Sequence, residues 1–414
     1  MRKKVLLLNI LFLILINFSL CVYGVETDLK LYSEAAIVMD TETNQILYEK
    51  NINNKMYPAS TTKILTAILA IEKCNLNEVI TASSSAISHV PSGYSSAYIS
   101  AGEEMPVKDL LTVFLVHSAN EAGYILAEHC SGSVENFANL MNEKAKEIGC
   151  QHSNFTNPSG IHDENHYTTA YDLCLIANYC MKNETFRSIV SMPKCTINGT
   201  NKSSTRVYSN TNSLLNSSSQ FYVKNCIGIK TGYTKEAGNC LVSGFNQDGI
   251  EVVCVVLGAA NIGNSDSSRF IDSKTLYNYT YKTFSKKNIV NKNDIIQTIE
   301  VPNGTKETKN LNLIVENDIN ALININEEIS KPTVKLNENI LAPIAQNEKL
   351  GTVTYNINGI EYTQDLVAET TVKQDLFFIK LSIIALCVLI ILLLILIIKS
   401  KTKKNKKRKY KSNY

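Results

Sequence analysis

Leu381 to Ile398 is an uncharged, almost wholly apolar run of 18 residues. That length just suffices to cross the hydrocarbon core of a bilayer, which takes about 20 residues in a helix. No face of the run is polar, so it predicts a membrane helix, residues 376–398 with its flank, and not a helix of a soluble core. Lys399, Lys401, Lys403, Lys404, Lys406, Lys407, Arg408, Lys409 and Lys411 come directly after it. Lysine-rich flanks stay in the cytoplasm, which makes residues 399–414 an inner tail and puts everything from about Val25 to Lys380 outside the cell membrane. Export needs a signal. Arg2, Lys3 and Lys4 precede an apolar stretch from Val5 to Cys21, broken only by Asn9, Asn17 and Ser19, and then Val22-Tyr23-Gly24. Residues 1–24 read as a secretory signal peptide cut after Gly24; the alternative is an uncleaved anchor.

The formal net charge of +3 hides a segregation. Twelve of the 41 basic residues sit in the two ends, leaving 29 against all 38 acidic ones in the region between. A body with net charge −9 lacks the cations to neutralise phosphates, so nucleic acid is excluded as a partner. The lysine tail adds attraction to anionic lipid heads. Of the 11 cysteines, nine remain once Cys21 and Cys387 are set aside. An odd number cannot all pair internally, and the spacing fits no metal site. They are read as small buried apolar residues, with any disulfide left open.

Between the ends the pattern changes three times. Ala35–Asp40 and Gln45–Tyr48 alternate around a short polar turn and predict a hairpin. Helical periodicity runs from Ser60 to Ile71, Val107 to Val116, Asn120 to Cys130 and Val134 to Ile148. Thr169-Ala-Tyr-Asp172 has capping-box spacing and opens a helix through Met181. From Phe221 the period is two. Cys226–Lys230 is a strand, Asn239–Phe245 and Ile250–Leu257 flank a turn at Asn246–Gly249, and Ser268 to about Thr283 is a closing helix. The early hairpin and late strands predict one sheet with helices on both faces, within residues 25–286. Residues 287–373 alternate like short strands and predict a small all-β domain.

The chemistry starts at Pro58-Ala59-Ser60-Thr61-Thr62-Lys63, the entry to the first long helix. Ser60 and Lys63 are three apart and share one helix face. A serine hydroxyl is a weak nucleophile until a base takes its proton. A lysine buried near other cations can be neutral and be that base. S-x-x-K by itself says little, since Ser191–Lys194 and Ser400–Lys403 match it too. Two later segments give the first match its weight. Ser118-Ala119-Asn120 comes 58 residues on, at a break between helices, and Lys230-Thr231-Gly232 another 112 residues on, on a strand.

S-x-x-K, S-x-N and K-T-G in that order resemble penicillin-binding proteins and serine β-lactamases. The early hairpin, Asn157-Pro-Ser-Gly-Ile161 and His166-Tyr-Thr-Thr-Ala170 are more specifically similar to the serine D-Ala-D-Ala carboxypeptidases, the low-molecular-weight penicillin-binding proteins of peptidase family S11. Leu341-Ala-Pro-Ile344 through Val367 resembles the β-rich C-terminal domain of the same family. The resemblance implies an α/β (α+β) penicillin-binding or β-lactamase-like catalytic domain, an antiparallel sheet flanked by helices with a helical subdomain, then the small all-β domain and the anchor. It implies Ser60 as nucleophile on the penultimate D-alanine carbonyl of a peptidoglycan pentapeptide, Lys63 as base, and Ser118 as proton relay to the leaving amine. It implies Asn120, Lys230, Thr231 and Gly232 as substrate-binding residues, with the amides of Ser60 and Tyr233 as oxyanion hole. Arg269 falls where related enzymes carry a carboxylate-binding arginine. No cofactor is implied, and β-lactam antibiotics would acylate Ser60.

Two positions depart from the family pattern: Glu121 stands where many relatives carry Asp, and Ser159 where many carry His. Two other readings use the same residues. A β-lactamase would deacylate through a glutamate about 34 residues beyond Asn120, where this chain has Asn154; rapid penicillin turnover would identify it. A non-catalytic peptidoglycan-binding protein would fail to take up labelled penicillin at Ser60. The pair His162 and His166 has i, i+4 spacing, but its neighbours are loop-formers, which argues against zinc.

Overall fold

The computed structural model describes residues 29–263, 265–326 and 328–411. The signal peptide, residues 1–24, lies outside them. By internal contacts the chain divides into one unit of Met1–Lys286 with Leu322–Glu327, and a second of Lys287–Ala321 with Glu328–Tyr414. This differs from a single cut after Lys286. Leu322 belongs to an apolar cluster with Leu276 and Phe284, and the Ile325 N–H donates to the Thr283 carbonyl at 2.9 Å.

The first unit is built on a five-stranded sheet. Its strands are β1 (Ala35–Asp40), β2 (Ile46–Lys50), β7 (Cys226–Thr234), β8 (Gly238–Gln247) and β9 (Ile250–Ala259), in the order β2-β1-β9-β8-β7 and antiparallel throughout. The period-two pattern sorts alternate side chains into two cores. Ala35, Ile37 and Met39 of β1, and Val253, Val255 and Leu257 of β9, enter one; Ala36, Val38, Val252, Cys254 and Val256 enter the other. The turn between β8 and β9 is Asp248-Gly249, both at positive φ (53° and 76°), the geometry a two-residue hairpin demands.

Helices cover both faces. The first core holds α1 (Lys63–Lys73), α3 (Val107–Val116), α4 (Asn120–Ser131), α5 (Val134–Ile148) and α6 (Ala170–Met181), introduced around the short α2 (Ser84–Ser88) and the strand pair β3 (Val79–Thr81) and β4 (Glu104–Pro106). Helix α1 has no polar side: Lys63 through Ala70 are all buried. Its end is tied to α4 by a Cys74–Cys130 disulfide, with Cα atoms 6.3 Å apart, which answers the question the cysteine count left open. Seven of the other cysteines, Cys150, Cys174, Cys180, Cys195, Cys226, Cys240 and Cys254, are buried thiols, as small apolar residues would be. The second core holds Phe270 and Leu276 of α8 (Ser268–Thr283).

Some elements differ from expectation. The Thr169 hydroxyl caps α6 by accepting from the Asp172 N–H (3.0 Å), but the capping box is half made. The Asp172 carboxylate instead accepts from the Gln151 and His152 amides and the Ser153 hydroxyl, and so fastens the loop after α5. Between α6 and β7 lie α7 (Glu184–Val190) and a hairpin of β5 (Lys194–Ile197) and β6 (Arg206–Ser209). These are too short and too polar to stand out as periodic segments.

The second unit carries another five-stranded antiparallel sheet. Phe284–Val290 and Ile319–Asn324 (β10 and β13) pair with one another. Ile295–Glu300 (β11), Asn310–Val315 (β12), Thr333–Leu336 (β14), Lys349–Ile357 (β15) and Ile360–Ala368 (β16) take the order β11-β12-β16-β15-β14. Asn358-Gly359 forms the β15–β16 turn. The last element is α9 (Phe377–Lys411), of which Ile379–Thr402 is long and apolar enough to cross a membrane.

Candidate active site

The nucleophile candidate sits in a 3-10 turn, Ala59–Thr62, that leads directly into α1. The turn is closed by Thr61, whose N–H and hydroxyl both donate to the Pro58 carbonyl (3.2 and 2.6 Å). Ala59 adopts φ +47°, a conformation that costs a non-glycine residue about 1–3 kcal/mol and persists only where the surroundings enforce it. They do. A Cβ on Gly160 would fall 1.8 Å from the Ala59 carbonyl oxygen, so the Asn157–Ile161 loop presses on the turn from one side.

Three neighbours surround the Lys63 amine: Ser60 Oγ at 2.8 Å, Asn120 Oδ1 at 2.7 Å and the Ser159 carbonyl oxygen at 2.8 Å. The last two can only accept hydrogen bonds; Asn120 is oriented by its own Nδ2, which donates to the Ser95 carbonyl (2.8 Å). A neutral amine has two N–H donors and one lone pair. If the two obligate acceptors take the donors, the lone pair is left for the one neighbour that can give a proton, the Ser60 hydroxyl. Lys63 is fully buried, and its pKa lies well below the ordinary lysine value, first because burial penalises the ammonium form and second because of Lys230. Glu121 acts the other way.

Ser118 lies in the break between α3 and α4, and Asn120 opens α4. Ser118 is buried and held at φ +67° in the left-handed region, and the Asn120 N–H donates to the Ser95 carbonyl (3.0 Å). Glu121, the residue that departs from the family pattern, plays a structural part. Its Oε1 accepts from the Ser96 hydroxyl (2.7 Å) and from the amides of Ala97 (2.7 Å) and Ile99 (3.3 Å). Asn120 and Glu121 together fasten the 95–99 loop to the lysine cluster.

The K-T-G residues lie on β7, the edge of the sheet. A Cβ on Gly232 would stand 3.0 Å from both the Pro58 carbonyl oxygen and the Ser60 nitrogen, so the strand runs against the nucleophile turn and has no room for a side chain there. Lys230 is fully buried and donates to the Thr231 carbonyl (3.1 Å). Its pKa is lowered to about 7, by burial first and the Arg269 charge second. Arg269, at the start of α8, donates through Nη1 to the Gly232 carbonyl (3.0 Å) and pairs with Asp266. Tyr233 is half exposed, beyond the glycine. Ser60, Lys63 and Asn120 therefore form one group, and Lys230, Thr231, Gly232, Tyr233 and Arg269 a second along β7; the two touch where Gly232 meets Ser60, and Ser118 is buried two residues before Asn120.

The sequence missed several contributors. Ser159 acts through its backbone carbonyl, so its departure from His leaves the lysine contact unchanged. Asn157 shapes that loop: its Oδ1 accepts from the amides of Ser159, Gly160 and Ile161 at 2.8–3.2 Å. His166 accepts the Thr156 N–H at Nδ1 (3.1 Å), which places its proton on Nε2, facing the Thr62 hydroxyl (2.8 Å). Burial lowers its pKa to about 4, so it is a neutral brace for the nucleophile turn. Thr211 accepts from the Thr231 hydroxyl (2.6 Å) and, at 3.5 Å, from Lys230. Only the Asn-Pro-Ser-Gly and His-Tyr-Thr-Thr strings hint at any of these.

A site of this kind, with a lysine-paired serine at a helix entry and a K-T-G edge strand beside it, defines a serine acyl-transferring class. Comparison with known families makes it specific. The family model described as D-alanyl-D-alanine carboxypeptidase matches residues 23–261, and that of the penicillin-binding protein 5 C-terminal domain matches residues 284–374. The chain belongs to the D-alanyl-D-alanine carboxypeptidase family. D-alanyl-D-alanine carboxypeptidase DacF of Bacillus subtilis is 30% identical over 354 residues, spanning 83% of this chain and 86% of that protein. Penicillin binding protein 5 of Haemophilus influenzae is 26% identical, with a TM-score of 0.64 over 85% of this chain and all of that one. The DD-transpeptidase of Streptomyces K15 is 29% identical, with a TM-score of 0.57 over 62% of this chain and 99% of that one.

Proposed function

We infer that this protein hydrolyses the terminal D-Ala-D-Ala bond of peptidoglycan stem peptides through an acyl-enzyme on Ser60. The observation that carries the reading is the environment of the Lys63 amine: two obligate acceptors and one hydroxyl, in a buried site that disfavours the ammonium form. Lys63 takes the Ser60 proton as Oγ attacks the penultimate D-alanine carbonyl. The developing oxyanion is met by the amides of Ser60 and Tyr233; one such donor is worth about 3 kcal/mol. Ser118 hands the proton held by Lys63 on to the leaving D-alanine nitrogen, which returns Lys63 to its neutral form, and Asn120 holds the scissile amide. Lys230, with Arg269 adding to the positive charge, draws the terminal carboxylate in beside Thr231. Gly232 lets the peptide lie along the β7 edge. Water then enters as D-alanine leaves, gives a proton to Lys63 and attacks the ester, and Lys63 returns the proton to Ser60 Oγ as the acyl group departs. A β-lactam carries the same carboxylate and a strained amide and stops at the acyl stage.

The apolar segment Ile379–Thr402 supports a single-pass anchor. With the lysine tail inside, residues 25–286 and 287–373 stand outside, facing the wall, and residues 1–24 serve as a leader.

The test uses the full chain in detergent micelles. A peptide ending in D-Ala-D-Ala is expected to yield free D-alanine, and penicillin to leave a long-lived adduct on Ser60 by mass spectrometry. Ser60→Ala should lose both. Unchanged release by Ser60→Ala, or fast penicillin turnover, would overturn the reading.

A further inference from the structure

We propose that the Thr211 hydroxyl donates a hydrogen bond to the C-terminal carboxylate of the bound peptide, as the outermost donor of a Lys230–Thr231–Thr211 relay. This rests on the acyl-transfer reading of the site.

Thr211 belongs to none of the three motifs. It lies after β6 and before the 3-10 turn Ser213–Leu215. Its N–H donates to the Val116 carbonyl (3.2 Å), two residues ahead of Ser118. Its hydroxyl accepts from Thr231 and Lys230. One residue therefore bridges the S-x-N break and the K-T-G strand.

The proton positions give it a direction. Thr231 donates to Thr211 Oγ1, and Lys230 in its ammonium form can donate only. Both lone pairs of the Thr211 oxygen are then engaged, and its own proton has no acceptor in the hydrogen bonds of the described residues. Thr231 and Lys230 are buried, at 5% and 1% exposure, while Thr211 is partly exposed. The donor left over is thus the one nearest solvent. Two donors behind an oxygen polarise its own O–H and strengthen what it gives to an anion. A carboxylate has room for about four hydrogen bonds; the single Thr231 proton is given to Thr211, so Thr211 is the hydroxyl that meets the carboxylate beside Lys230.

The position is stiff. Asn210 Nδ2 donates to the Met192 carbonyl (2.9 Å), its Oδ1 accepts from the Asn212 N–H (2.9 Å), and Asn212 Oδ1 accepts from the Leu214 N–H (3.1 Å). Both neighbours of Thr211 are pinned, so its hydroxyl waits in place and little entropy is lost on binding.

The experiment compares acylation of the full chain in micelles by benzylpenicillin and by its methyl ester, which has the same ring without the negative charge. Thr211→Val keeps the shape and removes the donor. It should lose about 10- to 100-fold in the second-order rate with the acid and less than about threefold with the ester, so that the acid-to-ester ratio collapses. Thr211→Ser should keep the wild-type ratio. Because the ratio is measured within one preparation, a partly misfolded variant still reports it, and Thr211→Ala repeats the test with a smaller side chain. An unchanged ratio in both Val and Ala variants would overturn the assignment while leaving the acyl-transfer reading intact. A wild type that takes up neither compound and releases no D-alanine would overturn that reading itself.

Discussion

The chain contains two five-stranded antiparallel sheets with opposite surroundings. In the first, β1 is buried at every residue, and β8 and β9 at most positions, because helices lie on both faces. In the second, β11 and β14 have no buried residue, and β15 alternates toward a single core. Among the described residues, every buried charged side chain, Lys63, Lys230, Glu121, Asp172 and Arg269 among them, lies in the first unit. The buried residues of the second, such as Val301, Leu311, Leu313, Val353 and Leu366, are apolar. Burial on both sides of a sheet makes a region where water is excluded and a lysine pKa can fall. A one-sided sheet has a core that serves cohesion only.

That contrast can be broken by mutation. The largest effect is expected from Lys63→Ala. Removing the base should cost about 10⁴-fold or more in D-alanine release. The change in thermal stability should stay small, since the lost hydrogen bonds are offset by no longer burying an ionisable amine. A large drop in melting temperature would show that Lys63 is a structural element and would weaken the contrast.

Leu313→Ala asks the opposite. Leu313 is fully buried on β12, and the truncation should cost about 2–5 kcal/mol. Hydrogen exchange should lose protection in β12, β15 and β16 while β8 and β9 keep theirs, and D-alanine release per folded molecule should not change. Loss of activity in proportion would mean the second core also supports the site.

The smallest effect sharpens the electrostatic side. Lys230 must be cationic to draw in a carboxylate, and its pKa is lowered to about 7, so kcat/KM should decline as pH rises through about 7. Lys63 must be neutral, and its lowered pKa means rate is lost only as pH falls toward the acid side. Lys230→Arg stays charged at all working pH values and should push the alkaline limb upward by about two units or more. A limb that does not move with this substitution would assign it to another group.

Much of this was legible from residues alone. The hairpin turns announce themselves in Asp248-Gly249 and Asn358-Gly359, because few residues accept positive φ. Helix α8 is found at Ser268–Thr283, where the pattern places it. Ser60 and Lys63, three apart, had to meet on one turn. What stayed hidden depends on groups without a signature: the Ser159 carbonyl is a backbone atom any residue would offer, Thr211 is one threonine among many, and the four-residue strands β5 and β6 are too short to show a period.

The order of residues by itself decided which side chains could do chemistry, where the longer helices and strands run, and that one end is an apolar span. Only packing decided that Asn120, 57 residues from Lys63, comes within 2.7 Å of its amine, and that Gly232 leaves no gap beside Ser60. Local spacing reaches a few residues along the chain. Protonation states and distances across a cleft depend on what the whole molecule excludes, and that is water.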